Sequence, residues 1–155
     1  AYQYNFEPVE IVSITENIIK TTKMQHPEVN IKFSYTDEKM NLNADKEAIV
    51  SVLTNLIENS IKYSSAPAFI EINIIQQNKN IGLEVADLGF GIPDNEKLKV
   101  IEQFYRTGNE ETRQTKGTGL GLYIVDKIVE AHKGSLKIYD NYPKGTRIAI
   151  NLPSK

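Results

Sequence analysis

The stretch Glu47–Ser64, EAIVSVLTNLIENSIKYS, constrains the fold more than any other part of the chain. Plotted at about 100° per residue, Ser51, Asn55, Glu58, Asn59 and Lys62 fall within one arc of about 100°. Ile49, Val50, Val52, Leu53, Leu56, Ile57 and Ile61 occupy the rest of the circumference. A helix that is apolar on nearly every side is a buried helix. Its polar stripe must then face water or a polar ligand, because a buried amide without a partner costs roughly 1–3 kcal/mol. Solvent faces are ordinarily filled with Lys, Glu, Gln and Arg, the good helix formers. Two asparagines one turn apart are poor ones, since their side chains compete for the backbone. An asparagine carbonyl is a hard oxygen donor suited to Mg²⁺, and a lysine one turn on offers positive charge to phosphate. On its own the stripe leaves a solvent face and a ligand face both open.

The remaining elements define what surrounds this helix. Phe6-Glu7-Pro8 reads as a short strand entering a helix, with proline near the first helical position, and the helix spans about Val9 to Met24 before Pro27. Asn30 to Tyr35 alternates as a strand, and Met40 to Asn43 is another. Asp45 is the expected N-cap of the helix running to about Tyr63. Phe69–Gln76 and Ile81–Ala86 form a hairpin across Asn78-Lys79-Asn80. A third helix runs from about Leu120 to His132 and stops at Gly134. Ser135–Tyr139 and Arg147–Leu152 close the chain as a hairpin around Pro143-Lys144-Gly145. Strands and helices come in clusters, which predicts an α+β two-layer sandwich: a mixed five-stranded sheet covered on one face by three helices. Residues 93–116 carry no sustained periodicity beyond Leu98–Phe104 and read as a lid.

Composition removes several functional classes. At 155 residues, 40% hydrophobic and 25% charged, the chain is an ordinary single domain, 1–155. Zero cysteines exclude a disulfide scaffold, a thiolate metal site and a cysteine nucleophile. No apolar run approaches the roughly 18–20 residues of a membrane span, and the first residues carry no secretory signal pattern. A formal charge of −2 gives no bulk attraction for nucleic acid or anionic lipid.

Two glycine segments bear on a ligand. In DLGFGI, Asp87 ends a strand and can accept from an exocyclic amine, while Gly89 and Gly91 permit close approach of a flat ring; taken by itself, the segment fits a plain Asp-x-Gly turn better. In KGTGLGL, Gly117, Gly119 and Gly121 run directly into a helix, where free N–H groups and the helix end favour phosphate. The spacing is neither a Walker A loop nor a Rossmann fingerprint, and it lacks the companions of the eukaryotic kinase loop.

NLIENSIKYS, DLGFGI, EQFYR and KGTGLGLYIV, in that order, resemble the N box, first glycine box, phenylalanine box and second glycine box of bacterial sensor histidine kinases. The resemblance covers essentially the whole chain as the catalytic ATP-binding domain and implies a Bergerat-type fold with a flexible ATP lid. It implies that Asn59 binds Mg²⁺, that Asn55 supports the metal or phosphate end, and that Lys62 and Tyr63 touch phosphate or ribose. It makes Asp87 the acceptor for the adenine amino group, with Gly89 and Gly91 closing on the base, and Arg106 a lid residue reaching the γ-phosphate. Gly117, Gly119 and Gly121 would cradle phosphate while Leu120 and Leu122 pack the following helix; Ile92, Lys116 and Thr118 complete the nucleotide set. The first aromatic position of the phenylalanine box is Ile101, and His132-Lys133-Gly134 stands where the family often has His-Gly-Gly.

Relatives with the same fold hydrolyse ATP using a glutamate one turn before the metal asparagine. Here that position is Asn55, and an amide cannot take up a proton. Transfer to a neutral histidine nitrogen needs less help, so Asn55 favours the histidine kinase, with Glu58 the nearby carboxylate available as a base. Neither His26 nor His132 lies in an acceptor context. The expected partners are therefore an upstream phosphoacceptor and dimerisation helical domain and a response regulator. This domain itself is expected to be a cytoplasmic monomer within a homodimeric, membrane-bound sensor. The competing reading is a nucleotide-binding regulatory module, or an ATPase of the same fold, without histidine transfer.

Overall fold

Alternating isoleucines build the sheet. In the strands Phe69–Gln77 and Asn80–Asp87, Ile70, Ile72, Ile74, Ile81, Leu83 and Val85 are all buried, whereas Phe69 and Glu71 point to solvent. The computed structural model describes residues 3–102 and 121–154. Its elements are β1 (Phe6–Glu10), α1 (Ile11–Gln25), β2 (Asn30–Tyr35), β3 (Asn41–Asp45), α2 (Lys46–Lys62), β4 (Phe69–Gln77), β5 (Asn80–Asp87), α3 (Gly121–Ala131), β6 (Ser135–Asp140) and β7 (Thr146–Pro153), with one 3₁₀ turn at Asp94–Glu96.

The main sheet has the order β2-β4-β5-β7-β6 and is mixed: β2 runs parallel to β4 and every other neighbour is antiparallel. A separate ribbon pairs β1 with β3, Phe6 opposite Asp45 and Glu10 opposite Asn41. The α+β sandwich expected from the sequence is the observed architecture, three helices with a five-stranded mixed sheet. α2 is the central helix, packed against both α1 and α3. Leu53 and Leu56 have no accessible surface, and Ile49, Val52 and Ile57 are buried beside them. Asp45 caps α2 as expected, its Oδ1 accepting the Ala48 N–H at 2.9 Å.

One expectation needs correction. Pro8 does not open a helix: it lies inside β1, and α1 begins only at Ile11. Val9 is buried by the pairing of β1 with β3 and so belongs to a strand. A two-stranded ribbon has free edges, where a residue without an N–H is tolerated. Of the expected lid, residues 93–102 are among those described. After the 3₁₀ turn, Val100 enters the core and Ile101 packs against it, while Leu98 stays 83% exposed.

Candidate functional site

α2 carries the polar stripe along one side and hands it on at both ends. Asn55 is half-buried, and its Nδ2 donates to Ser51 O at 2.7 Å and Ser51 Oγ at 3.2 Å. Those bonds fix the amide so that its carbonyl oxygen points away from its own helix. A Cβ added to Gly121 would stand 3.4 Å from that oxygen, so the first turn of α3 lies directly against Asn55. Asn59 is half-buried one turn on, and Lys62 is exposed. Tyr63 caps the helix, its N–H bonding to Asn59 O at 3.1 Å.

The turn after β5 is held against that cap. Phe90 N–H donates to Tyr63 O at 2.9 Å. A Cβ on Gly89 would come 2.2 Å from Tyr63 O, closer than any side chain permits, so this contact between turn and helix end requires glycine. Gly91 follows with φ +80°, and half-buried Ile92 leans on the core. Asp87 itself is buried, with Oδ1 accepting the Gly89 N–H at 2.9 Å and the Thr146 N–H at 3.1 Å. Burial pushes its carboxyl above the usual carboxylate range, opposed by hydrogen bonds from Gly89, Thr146 and the Ser60 hydroxyl. A carboxyl held where its charge is poorly solvated is primed to accept a hydrogen bond from an incoming donor.

The structure thus brings Asn55, Asn59, Lys62, Tyr63, Asp87, Gly89, Gly91, Ile92 and Gly121 onto α2 and its immediate neighbours. Leu122 is buried in the core and packs α3, as its sequence position implied. Glu58 is placed differently: it is exposed and lines a groove of about 400 Å³ between α1 and α2, shared with Asn17, Thr21 and His26. Arg106, Lys116, Gly117, Thr118, Gly119 and Leu120 lie outside the described residues. His132 is structural: its Nε2 accepts the Asp45 N–H at 3.1 Å, and its Nδ1 faces Ile128 O at 2.8 Å. That pairing assigns the proton to Nδ1 and leaves no ring nitrogen open to phosphate.

Ser60, Thr146, Asn141 and Gly145 also shape the site and were not singled out in the sequence. Ser60 did leave a trace, as a small polar residue on the apolar side of a buried helix. Gly145 read only as a turn residue. Its φ is +103°, and a Cβ there would strike Asp87 O at 2.0 Å.

For a divalent metal, the site offers the amide oxygens of Asn59 and Asn55 and, among the described residues, no cluster of three His, Cys, Asp or Glu. That set fits Mg²⁺, which keeps most of its waters and is held largely through substrate phosphates rather than by an all-protein cage.

Comparison with known proteins agrees with this fold. Residues 44–155 match the family described as histidine kinase-, DNA gyrase B-, and HSP90-like ATPase. Sensor histidine kinase WalK of Bacillus subtilis is 35% identical over 99% of this chain. The chain spans 26% of WalK, about a quarter of the length of the curated relatives it matches first. Among solved structures, the mycobacterial sensor histidine kinase MprB superposes with a TM-score of 0.86 at 26% identity, covering 97% of this chain and 99% of its own. The catalytic domain of histidine kinase ThkA gives 0.84 at 25% identity, covering 97% and 96%. ThkA in complex with the response regulator protein TrrA shares the fold at 23% identity and a TM-score of 0.80, over 97% of this chain and 42% of that one.

Proposed function

We propose, for a chain that belongs to the histidine kinase-, DNA gyrase B- and HSP90-like ATPase family as the ATP-binding catalytic domain of a sensor histidine kinase, that it delivers the γ-phosphoryl group of Mg·ATP to a histidine on a helical domain of a longer protein. One observation carries the reading. A single rigid helix presents Asn55 and Asn59 along its length and, through Tyr63 O, anchors the turn that holds Asp87 at its end. Phosphate-side and base-side groups are thereby fixed relative to one another before any nucleotide arrives.

Asp87 would accept the exocyclic amine of adenine, steadied by the two N–H donors on Oδ1. Lys62 would add positive charge near the phosphates, and Asn59, with Asn55 beside it, would hold the metal. Bound there, Mg²⁺ supplies charge neutralisation to the transferring group. Asn55 provides no base, so the chain's own contribution is positioning and electrostatics, which suffices for an acceptor nitrogen that already owns its lone pair. Arg106 and the loop of Lys116, Gly117, Thr118, Gly119 and Leu120 complete the reading on the phosphate side. Glu58, facing α1, would not serve as the base. The partners in this reading are the phosphoacceptor helices and a response regulator, the latter by analogy with the complex of ThkA and the response regulator protein TrrA. The domain would occupy the cytoplasmic side of a membrane-bound homodimer; among the described residues, no helix is long and apolar enough to cross a membrane.

The test is to supply labelled ATP and a purified acceptor domain. Label should appear on histidine, and Asn59→Ala should abolish it. Unchanged rates in Asn59→Ala, or equal binding of ATP and GTP by the unsubstituted chain, would remove the metal and adenine assignments respectively.

A further inference from the structure

Asp140 ends β6 and Asn141 follows it, yet they grip opposite ends of the base-side turn. Asn141 Nδ2 donates to Asp87 O at 2.7 Å, where the turn begins. Asp140 Oδ1 accepts from Lys97 Nζ at 2.8 Å. The same ammonium donates to Ile92 O at 2.8 Å, where the turn finishes, and pairs with Asp94. A lysine ammonium has three N–H donors, and these three acceptors use all of them. Lys97 is also unusual among surface lysines in that its side chain is only 15% exposed. Exposed ion pairs contribute little, since holding two long side chains costs entropy and salt screens them. A shielded ammonium with a carbonyl and two carboxylates around it is a stronger, charge-assisted junction. Its hydrogen bonds to Asp140 and Asp94 accordingly hold the Lys97 ammonium above the usual lysine range. Gly145 fills the space between the two grips, lying within 3.6 Å of where a Gly91 Cβ would be.

We propose that Lys97 is a positioning residue for nucleotide binding: with Asp140 it latches residues 92–97 to the closing β6–β7 hairpin and so holds the turn 87–92 in the shape that receives the base. This rests on the reading that the turn binds adenine. Lys97 touches no reacting group; it acts through Ile92 and the turn. The effect belongs to the base, so it is the same for any adenine nucleotide regardless of how many phosphates follow.

Isothermal titration of ATP and ADP into the unsubstituted chain, Lys97→Met and Asp140→Asn separates the possibilities. Each substitution should weaken ATP and ADP by the same factor, roughly three- to tenfold for loss of one charge-assisted junction. With a supplied acceptor domain, KM for ATP should rise by that factor while kcat stays unchanged. The double variant should be no weaker than either single one, as expected for two halves of one latch. Asp140 is 70% exposed, so Asp140→Asn reads out the latch even where Lys97→Met impairs folding. Unchanged affinity in Asp140→Asn, or a loss confined to ATP with ADP unaffected, would overturn the latch; the second result would make Lys97 a phosphate ligand. Failure of the unsubstituted chain to bind either nucleotide would instead overturn the functional reading.

Discussion

Asp87 shows what the proposed adenine contact would cost the fold. Its carboxyl is buried, and desolvation raises its pKa against the pull of Gly89, Thr146 and Ser60. A carboxyl raised in the folded state favours folding below its unfolded value, near 3.9, and that advantage is lost as pH rises through the folded value. Asp87→Asn keeps an acceptor for the Gly89 and Thr146 N–H groups but removes the buried charge. We expect the nucleotide-free variant to be more stable at pH 7 by on the order of 1 kcal/mol. Thermal unfolding across pH checks the sign: the gap should close as pH falls through the raised native value towards the unfolded one, where the native aspartate is also neutral. The same variant should lose adenine nucleotide affinity about ten- to a hundredfold, because an amide N–H₂ can face the adenine amine. A variant that is both less stable and fully competent would contradict the assignment. Lys133 is a second residue at odds with its surroundings. It takes φ +60° just past the end of α3, a region in which glycine is free and a side chain is not. Lys133→Gly, restoring the His-Gly-Gly pattern, should raise stability by about 1 kcal/mol in urea unfolding, with nucleotide affinity unchanged. Asp87 and its glycines were legible in the sequence because they are contiguous. Thr146 and Asn141 were not, since they reach Asp87 across 59 and 54 residues through strand pairing that no local pattern encodes.

Among the elements, α2 was the most legible because one helix must satisfy two demands at once. Seventeen residues long, it buries Leu53 and Leu56 completely while keeping Asn55 and Asn59 at its polar side. Its start is tied down from three directions. Asp45 Oδ1 caps Ala48 N–H, Asp45 Oδ2 accepts Asn5 N–H at 2.8 Å, and Asp45 N–H reaches His132 Nε2. The bonds from Asn5 and then Ala48 hold the carboxyl below its ordinary range. A lowered carboxylate contributes stability above its unfolded pKa and loses it as pH falls through the folded value. Asp45→Ala should therefore cost about 1–2 kcal/mol near neutrality, with the deficit shrinking in strong acid. Asp45→Asn, which still caps, should retain most of the stability; equal loss in both variants would mean that charge, not capping, dominates. The extent of β1, read only as Phe6–Pro8, and the packing of the segment 94–102 were harder to read for a shared reason. β1 exists because it pairs with β3 some 35 residues away, and a 3₁₀ turn of three residues has no period to detect. Only the burial of Val100 and Ile101 marks that segment as packed, and two apolar residues amid charges are a weak signal.

At the scale of the whole molecule, the proposed function hangs both halves of the site on one helix, an arrangement that would make their energies separable. In the proposed function the base side would rest on the β5 turn, the closing hairpin and Tyr63, and the phosphate side on Asn55, Asn59 and the start of α3. A ligand binding only the folded state at a hundred times its dissociation constant stabilises by about 2.7 kcal/mol, several degrees in a chain of this size. Mg·ATP should raise the unfolding midpoint by that much. Chelating the metal should diminish the shift given by ATP while leaving that of saturating adenosine intact, because adenosine uses only the base side. Asn59→Ala should behave with Mg·ATP as the unsubstituted chain does after chelation, and should still respond to adenosine. Asp87→Asn should shrink the adenosine shift in step with its ten- to hundredfold loss of affinity. If chelation abolished the adenosine shift as well, the two ends would not be independent, and α2 would have to move on metal binding rather than serve as a fixed rod. The completely buried Leu53 and Leu56 argue for the rod, since a helix packed that closely between α1 and α3 cannot shift without reopening the core around it.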